Sequence, residues 1–199
     1  MFYTTNELGQ YKIFLYDVQK KKAKLIVKSG AKIDRINDYS FPLLAWHPSG
    51  KIFTYIEEKK GFMVMTTYDM ESREKTKRNI FGFEKILDYS YNDDGKKFVM
   101  SAVQKGQTDI FIFTAASNGY EQITKDLYDD LTPRFVHNSK EIVFASNRPS
   151  DTLFFDPKRP ADDMQPHKDL FVFDNVNKSH VLKRITNTPG IDEMYPADY

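Results

Sequence analysis

The sequence predicts an all-β fold: a β-propeller segment of four-stranded antiparallel blades, with about three full blades and partial blades at both ends. Three observations predict it. Tight-turn dipeptides, Asp94-Gly95 and Asn118-Gly119, stand between short apolar runs. A turn motif returns after 45 and then 44 residues, at Gly50, Gly95 and Ser139. Many apolar runs are apolar at successive positions, which suits a sheet covered on both faces. A period of about 40–45 residues with four strands per unit is the pattern of propeller blades.

The elements follow in order. A partial blade spans 8–30, with Ile13-Phe-Leu-Tyr-Asp17 and Lys24-Leu-Ile-Val27 as its last two strands. A first full blade spans 41–81. Its turn reads Trp46-His-Pro-Ser-Gly50-Lys51, and Lys51–Ile56, Met63–Asp69 and Lys77–Ile80 follow as strands. The second, 86–125, carries Tyr91-Asn-Asp-Asp-Gly95-Lys96, then Lys97–Met100, Ile110–Phe113 and Glu121–Thr124. Asp-Gly and Asn-Gly favour a type I′ turn, whose two central residues both need positive φ. The third, 131–187, carries Phe135-Val-His-Asn-Ser139-Lys140, then Glu141–Ala145, Leu170–Asp174 and Lys183–Thr186. The start of another blade lies at 191–199, where Ile191-Asp-Glu-Met-Tyr-Pro196 echoes Asp129-Asp-Leu-Thr-Pro133. Trp46 aligns with Tyr91 and Phe135 and is expected in the core. Helical runs are expected only as short pieces, such as 68–77.

These turns and strands resemble the WD40-like (PD40) repeat of TolB-like propellers, a repeat shared by the propellers of tricorn-type and dipeptidyl-peptidase-type peptidases. The best matching stretches are 91–101 with 109–124, and 133–147 with 169–186. Two departures stand out: Asn138-Ser139 replaces Asp-Gly, and Phe41-Pro42 is one position out of register with Pro133. The resemblance implies a periplasmic or cell-envelope protein that binds other proteins or peptides. It also allows an accessory propeller of a peptidase whose catalytic domain lies outside these 199 residues. A TolB-like ring has more blades than this, so the remainder of a longer chain, or other chains, is expected to complete it.

Composition narrows the chemistry. The net charge of +1 argues against a dedicated nucleic-acid binder. With no cysteine, disulfides, thiolate metal sites and a cysteine nucleophile are excluded. No apolar run approaches the ~18 residues of a membrane span, and no signal peptide is present in this chain. There is no nucleophile elbow, phosphate loop or dinucleotide fingerprint. The histidines His47, His137, His167 and His180 have no zinc-helix spacing. No catalytic residue, cofactor or metal site is therefore assigned.

Loops alternate between two faces of a blade. The loop after the second strand and the connection to the next blade share one face. Asp109 and Asp169 match across units but lie 60 positions apart against 44 for the turns, so 16 extra residues fall within 149–168. This insertion holds four prolines, which forbid a regular helix or central strand, and the apolar pair Phe154-Phe155. The pair either tucks the loop onto its own blade or binds a partner. Acidic residues gather in the same connections: Asp34, Asp38, Asp88, Asp126, Asp129, Asp130, Asp192 and Glu193. Capping of turns explains them best. A mouth for a basic partner or a divalent cation is the other reading. The expected contacts to a protein or peptide on this face are Tyr128, Asp129, Asp130, Arg148, Phe154, Phe155 and Arg159. A carbohydrate-binding propeller would instead use Tyr39, Tyr89, Tyr128 and Tyr195.

Overall fold

The computed structural model describes residues 1–7, 10–29, 41–151, 153 and 164–197. Among them the chain forms four antiparallel sheets and no helix. The first sheet has three strands, β1 (Phe2–Glu7), β2 (Gln10–Asp17) and β3 (Lys22–Ser29). The second has four: β4 (Leu43–Trp46), β5 (Ile52–Lys59), β6 (Phe62–Asp69) and β7 (Lys75–Ile80). The third holds β8 (Lys85–Tyr91), β9 (Lys97–Gln104), β10 (Gln107–Thr114) and β11 (Gly119–Gln122). The fourth holds β12 (Asp130–Val136), β13 (Glu141–Ser146), β14 (Asp169–Asp174) and β15 (Lys183–Arg184). Within each sheet, every strand pairs with the next in sequence. These are the blades of a propeller segment.

Two findings differ from the sequence expectations. β1 adds a strand ahead of the 8–30 unit. The 68–77 run is not helical: it is the end of β6, a turn and the start of β7, because the register Met63↔Ile80 to Tyr68↔Lys75 pairs its backbone across the sheet.

Consecutive apolar residues are used on both faces. In β9, Phe98, Met100 and Ala102 pack towards the second sheet, while Val99 packs towards the fourth. In β10, Phe111 and Phe113 join the first of these cores, and Ile110 and Ile112 the other. A third core joins the first two sheets through Ile13, Phe53, Tyr55 and Tyr68. Burying one such side chain contributes about 1.5–3 kcal/mol relative to exposure. β7 and β11 are mostly exposed, as outermost strands should be.

Trp46 is not core. It is 42% exposed and packs one face on Phe2 and Phe53, since the strand that carries it lies at the inner edge of its sheet.

The turns keep their glycines for reasons that differ from the expected type I′. Gly50 and Gly95 donate their N–H to His47 and Asn92 carbonyls at 2.9 and 3.0 Å. Gly95 has φ +72°, while Asp94 is not left-handed. Only one left-handed residue is therefore needed, as in a type I turn closed by a bulge. At the other dipeptide Asn118, not Gly119, takes positive φ, +58°. Gly95 also abuts the preceding blade: a Cβ there would lie 1.9 Å from His47 Nε2. The turns before the last strands of the first, second and fourth sheets use an Asp side chain as a cap. Asp17, Asp69 and Asp174 each accept two backbone N–H bonds at 2.8–3.0 Å. These bonds hold all three carboxyls below the usual carboxylate range.

Candidate functional site

The ends of β10, β12 and β13 that carry the insertion also carry a buried ionic cluster. Arg148 lies two residues beyond the end of β13 and is fully buried. Its Nη2 donates to both oxygens of Asp130 at 2.9 and 2.8 Å. Its Nη1 lies 3.1 Å from Asp126 Oδ2, and its Nε donates to Ser146 Oγ at 2.9 Å. The guanidinium sits 5.5–5.8 Å from the ring centres of Tyr128, Phe144 and Phe171, a stacking that suits its planar, weakly hydrated head. Burial would push the guanidinium towards losing its proton, but Asp130 and Asp126 outweigh that and raise its pKa.

Asp109, at the start of β10, completes the cluster. Its Oδ1 accepts from Thr124 Oγ1 at 3.3 Å and its Oδ2 from Gln122 Nε2 at 3.0 Å. Both donors are neutral. Burial first, then the charges of Asp130 and Asp126, push the Asp109 carboxyl up to about 7. Burial and Asp130 push Asp126 up to about 6, against the pull of Arg148. Oxygens of Asp109, Asp126 and Asp130 lie within 4.8 Å of one another. Three oxygens so placed could hold a divalent cation, but the Arg148 guanidinium already stands against two of the three.

A cavity of about 260 Å³ opens beside Asp109, lined by Gln107, Gln122, Lys125, Asp126 and Leu127 among others. A second, of about 330 Å³, runs along the inner strands β4, β8 and β12, past Trp46, Tyr91 and the Arg134–Asp88 ion pair at 2.7 Å.

The structure brings Tyr128, Asp130 and Arg148 together, but inside the molecule. All three are buried, so Arg148 and Asp130 position the loops around them and offer no surface to a partner. Arg148 is buried because Asp126 and Asp130 surround it, and no local sequence pattern marks an arginine for burial. Asp129 is exposed, and its N–H donates to Asn147 Oδ1 at 2.8 Å. Phe154, Phe155 and Arg159 lie outside the described residues, as do Asp34, Asp38 and Tyr39. Of the tyrosines suited to a carbohydrate, Tyr89 and Tyr128 are buried and Tyr195 is 69% exposed. Sequence reading missed Asp109 as a site residue, although its alignment with Asp169 was already legible.

No family model matches the sequence, and no curated protein matches it. Solved structures do share the fold. TolB from Acinetobacter baumannii superposes with a TM-score of 0.65 at 16% identity, over 94% of this chain and 40% of that one. A putative TolB from Agrobacterium tumefaciens gives 0.57 at 16%, over 89% and 61%. The β-propeller domain of the Trilobed protease from Pyrococcus furiosus gives 0.51 at 12%, over 93% and 52%. The chain has a TolB-like propeller fold, and it spans less than two thirds of the length of each of these structures.

Proposed function

We propose that the chain is a non-catalytic interaction scaffold of the cell envelope that holds a protein or peptide on the face bearing the 149–168 insertion. One observation carries this reading. The Arg148–Asp126–Asp130 cluster ties the base of the insertion to the connection between the third and fourth sheets. Anchoring the base of a loop lowers the ordering cost of binding through it. Asp129 stands exposed on one of these loops, and Phe154, Phe155 and Arg159 are proposed to supply the remaining contacts. The periplasm or envelope is the proposed location, by likeness to TolB. Further parts of a longer chain, or other chains, are proposed to complete the ring.

The test is chemical crosslinking followed by capture of the partner with the wild-type chain and with Phe154→Ser plus Phe155→Ser. The scaffold reading expects capture to weaken while the melting temperature stays put. A large loss of stability with unchanged capture would show that the phenylalanines only pack the loop onto its blade.

The likeness to the propeller domain of the Trilobed protease favours a second reading, an accessory propeller of a peptidase. A hydrolase domain in the flanking coding sequence would support it. An envelope-anchoring neighbour would support the scaffold.

A further inference from the structure

The third and fourth sheets place one Asp at the same point and treat its charge differently. Asp109 and Asp169 both lie near the start of the third strand of their sheet, at the third residue of β10 and the first of β14. Each accepts from a threonine, Thr124 or Thr186, at 3.3 and 3.4 Å. Those threonines in turn receive the N–H of Ile110 and Leu170, at 2.9 and 2.7 Å. The next position in register differs. Arg184 pairs with Phe171 across β14–β15, and Gln122 pairs with Phe111 across β10–β11. Arg184 Nη2 bonds Asp169 Oδ2, and His167 Nε2 lies 3.7 Å from the same oxygen. At that position Asp109 Oδ2 meets the neutral amide of Gln122 instead, and among the described residues no cationic side chain bonds it.

A cavity opens beside Asp109 and Gln122. It holds about 260 Å³ and is lined by Asp109, Gln122 and Asp126. Asp126 Oδ2, on a side chain only 4% exposed, faces Arg148 but receives no aligned hydrogen bond. Asp126 and Asp130 share the one buried guanidinium, and Asp109 stands beside them with no ion pair among the described residues. Such an excess of buried negative charge is costly unless a cation or a proton answers it. The rim lysines Lys105 and Lys125 line the same cavity, and among the described residues neither is ion-paired with Asp109.

We propose that this cavity is a subsite for a guanidinium group from outside the chain, which takes beside Asp109 the place that Arg184 takes beside Asp169. A planar fork fits two carboxylate edges better than a compact ammonium does. The inference goes beyond the scaffold reading and does not depend on it. An arginine in a bound peptide and a free alkylguanidine present the same head group.

The experiment titrates the chain with N-acetyl-arginine amide and with its uncharged isostere N-acetyl-citrulline amide, followed by NMR shifts of the backbone amides of Gln107 and Leu127, which line the cavity in every variant. Binding of the arginine compound should be at least tenfold tighter. It should weaken at least tenfold in Asp109→Asn, and equally in Gln122→Arg, which fills the cavity from within. Melting curves confirm that both variants fold, and Gln122 is partly exposed, so the longer side chain has room. Binding should also weaken from pH 8 to pH 5.5, as Asp109, with Asp126 and Asp130 facing it, takes up a proton. The other charged groups that face the site are Arg148, Lys105 and Lys125. A Gly-Arg-Gly peptide separates the sources: tighter binding than the amide points to a peptide, equal binding to a small molecule. Equal affinity for arginine and citrulline amides, or arginine binding that survives Gln122→Arg, would overturn the proposal.

Discussion

The third and fourth sheets are built alike and balanced differently. Both place an Asp, a Thr and a hydrogen-bonded backbone N–H at the same point. In the fourth, Arg184 neutralises the Asp and stacks on Phe171 at 5.7 Å. In the third, a glutamine stands in the arginine's place, and Asp109 is left beside two more buried carboxylates. Repeated architecture therefore does not mean repeated electrostatics. A single side chain decides whether one blade end is closed or open to a cation.

The largest effect should come from removing the guanidinium that the third sheet's carboxylates do share. Arg148→Ala leaves Asp126 and Asp130 buried without it, and should cost roughly 3–5 kcal/mol. The melting temperature should fall by about 10 °C or more. Arg184→Ala, at a side chain 25% exposed to water, should cost less, about 1–3 kcal/mol. Equal losses in thermal melts would remove the contrast.

The turns of the same two sheets give the next test. Gly95→Ala sets a Cβ into the His47 ring and strains φ +72°. It should cost about 2 kcal/mol. Ser139→Ala, at the matching turn, only forfeits the bonds to Asp93 at 2.9 and 3.0 Å, and should cost about 1 kcal/mol. Urea midpoints at constant slope would read both.

A smaller effect is expected from acid. Asp109 titrates near 7 when folded and near 3.9 when unfolded. Between these values the folded state binds the extra proton, so the stability present at low pH is lost as pH rises towards 7. Asp109→Asn should remove this dependence, so that the variant gains stability over the wild type at pH 8 and almost none at pH 4. Comparing variant and wild type at each pH cancels the other carboxylates. Smallest of all, Gln122→Arg should copy the fourth sheet and add about 1 kcal/mol at pH 8.

Much of the fold was legible because its signals are local and repeated. The runs Ile110–Phe113 and Leu170–Phe173 are apolar at successive positions, and both became strands: β10 is covered on each side, while β14 buries Phe171 and Phe173 and leaves Leu170 and Val172 half-buried. The turn type was not legible. Asp-Gly suggests two left-handed residues, but the register of β8 and β9 left a longer loop that needs one. Trp46 was misplaced because aligning it with Tyr91 fixes its strand position, not its exposure at the inner edge. The site was half legible. Arg148, Asp130 and Tyr128 were singled out together, yet as surface contacts, because nothing near Arg148 in sequence reveals the carboxylates that bury it. The alignment of Gln122 with Arg184, through Gln-Ile-Thr and Arg-Ile-Thr, stood in the sequence. Its meaning needed the cavity.

The most direct measurement is the titration of the Asp109 side-chain carbon by NMR, in the wild-type chain and in Gln122→Arg. An unbalanced carboxylate should titrate near 7 in the wild type and move down once the arginine is in place. A wild-type midpoint near 4, unmoved by Gln122→Arg, would mean that the charge of Asp109 is already answered, and that the two sheets are electrostatically the same.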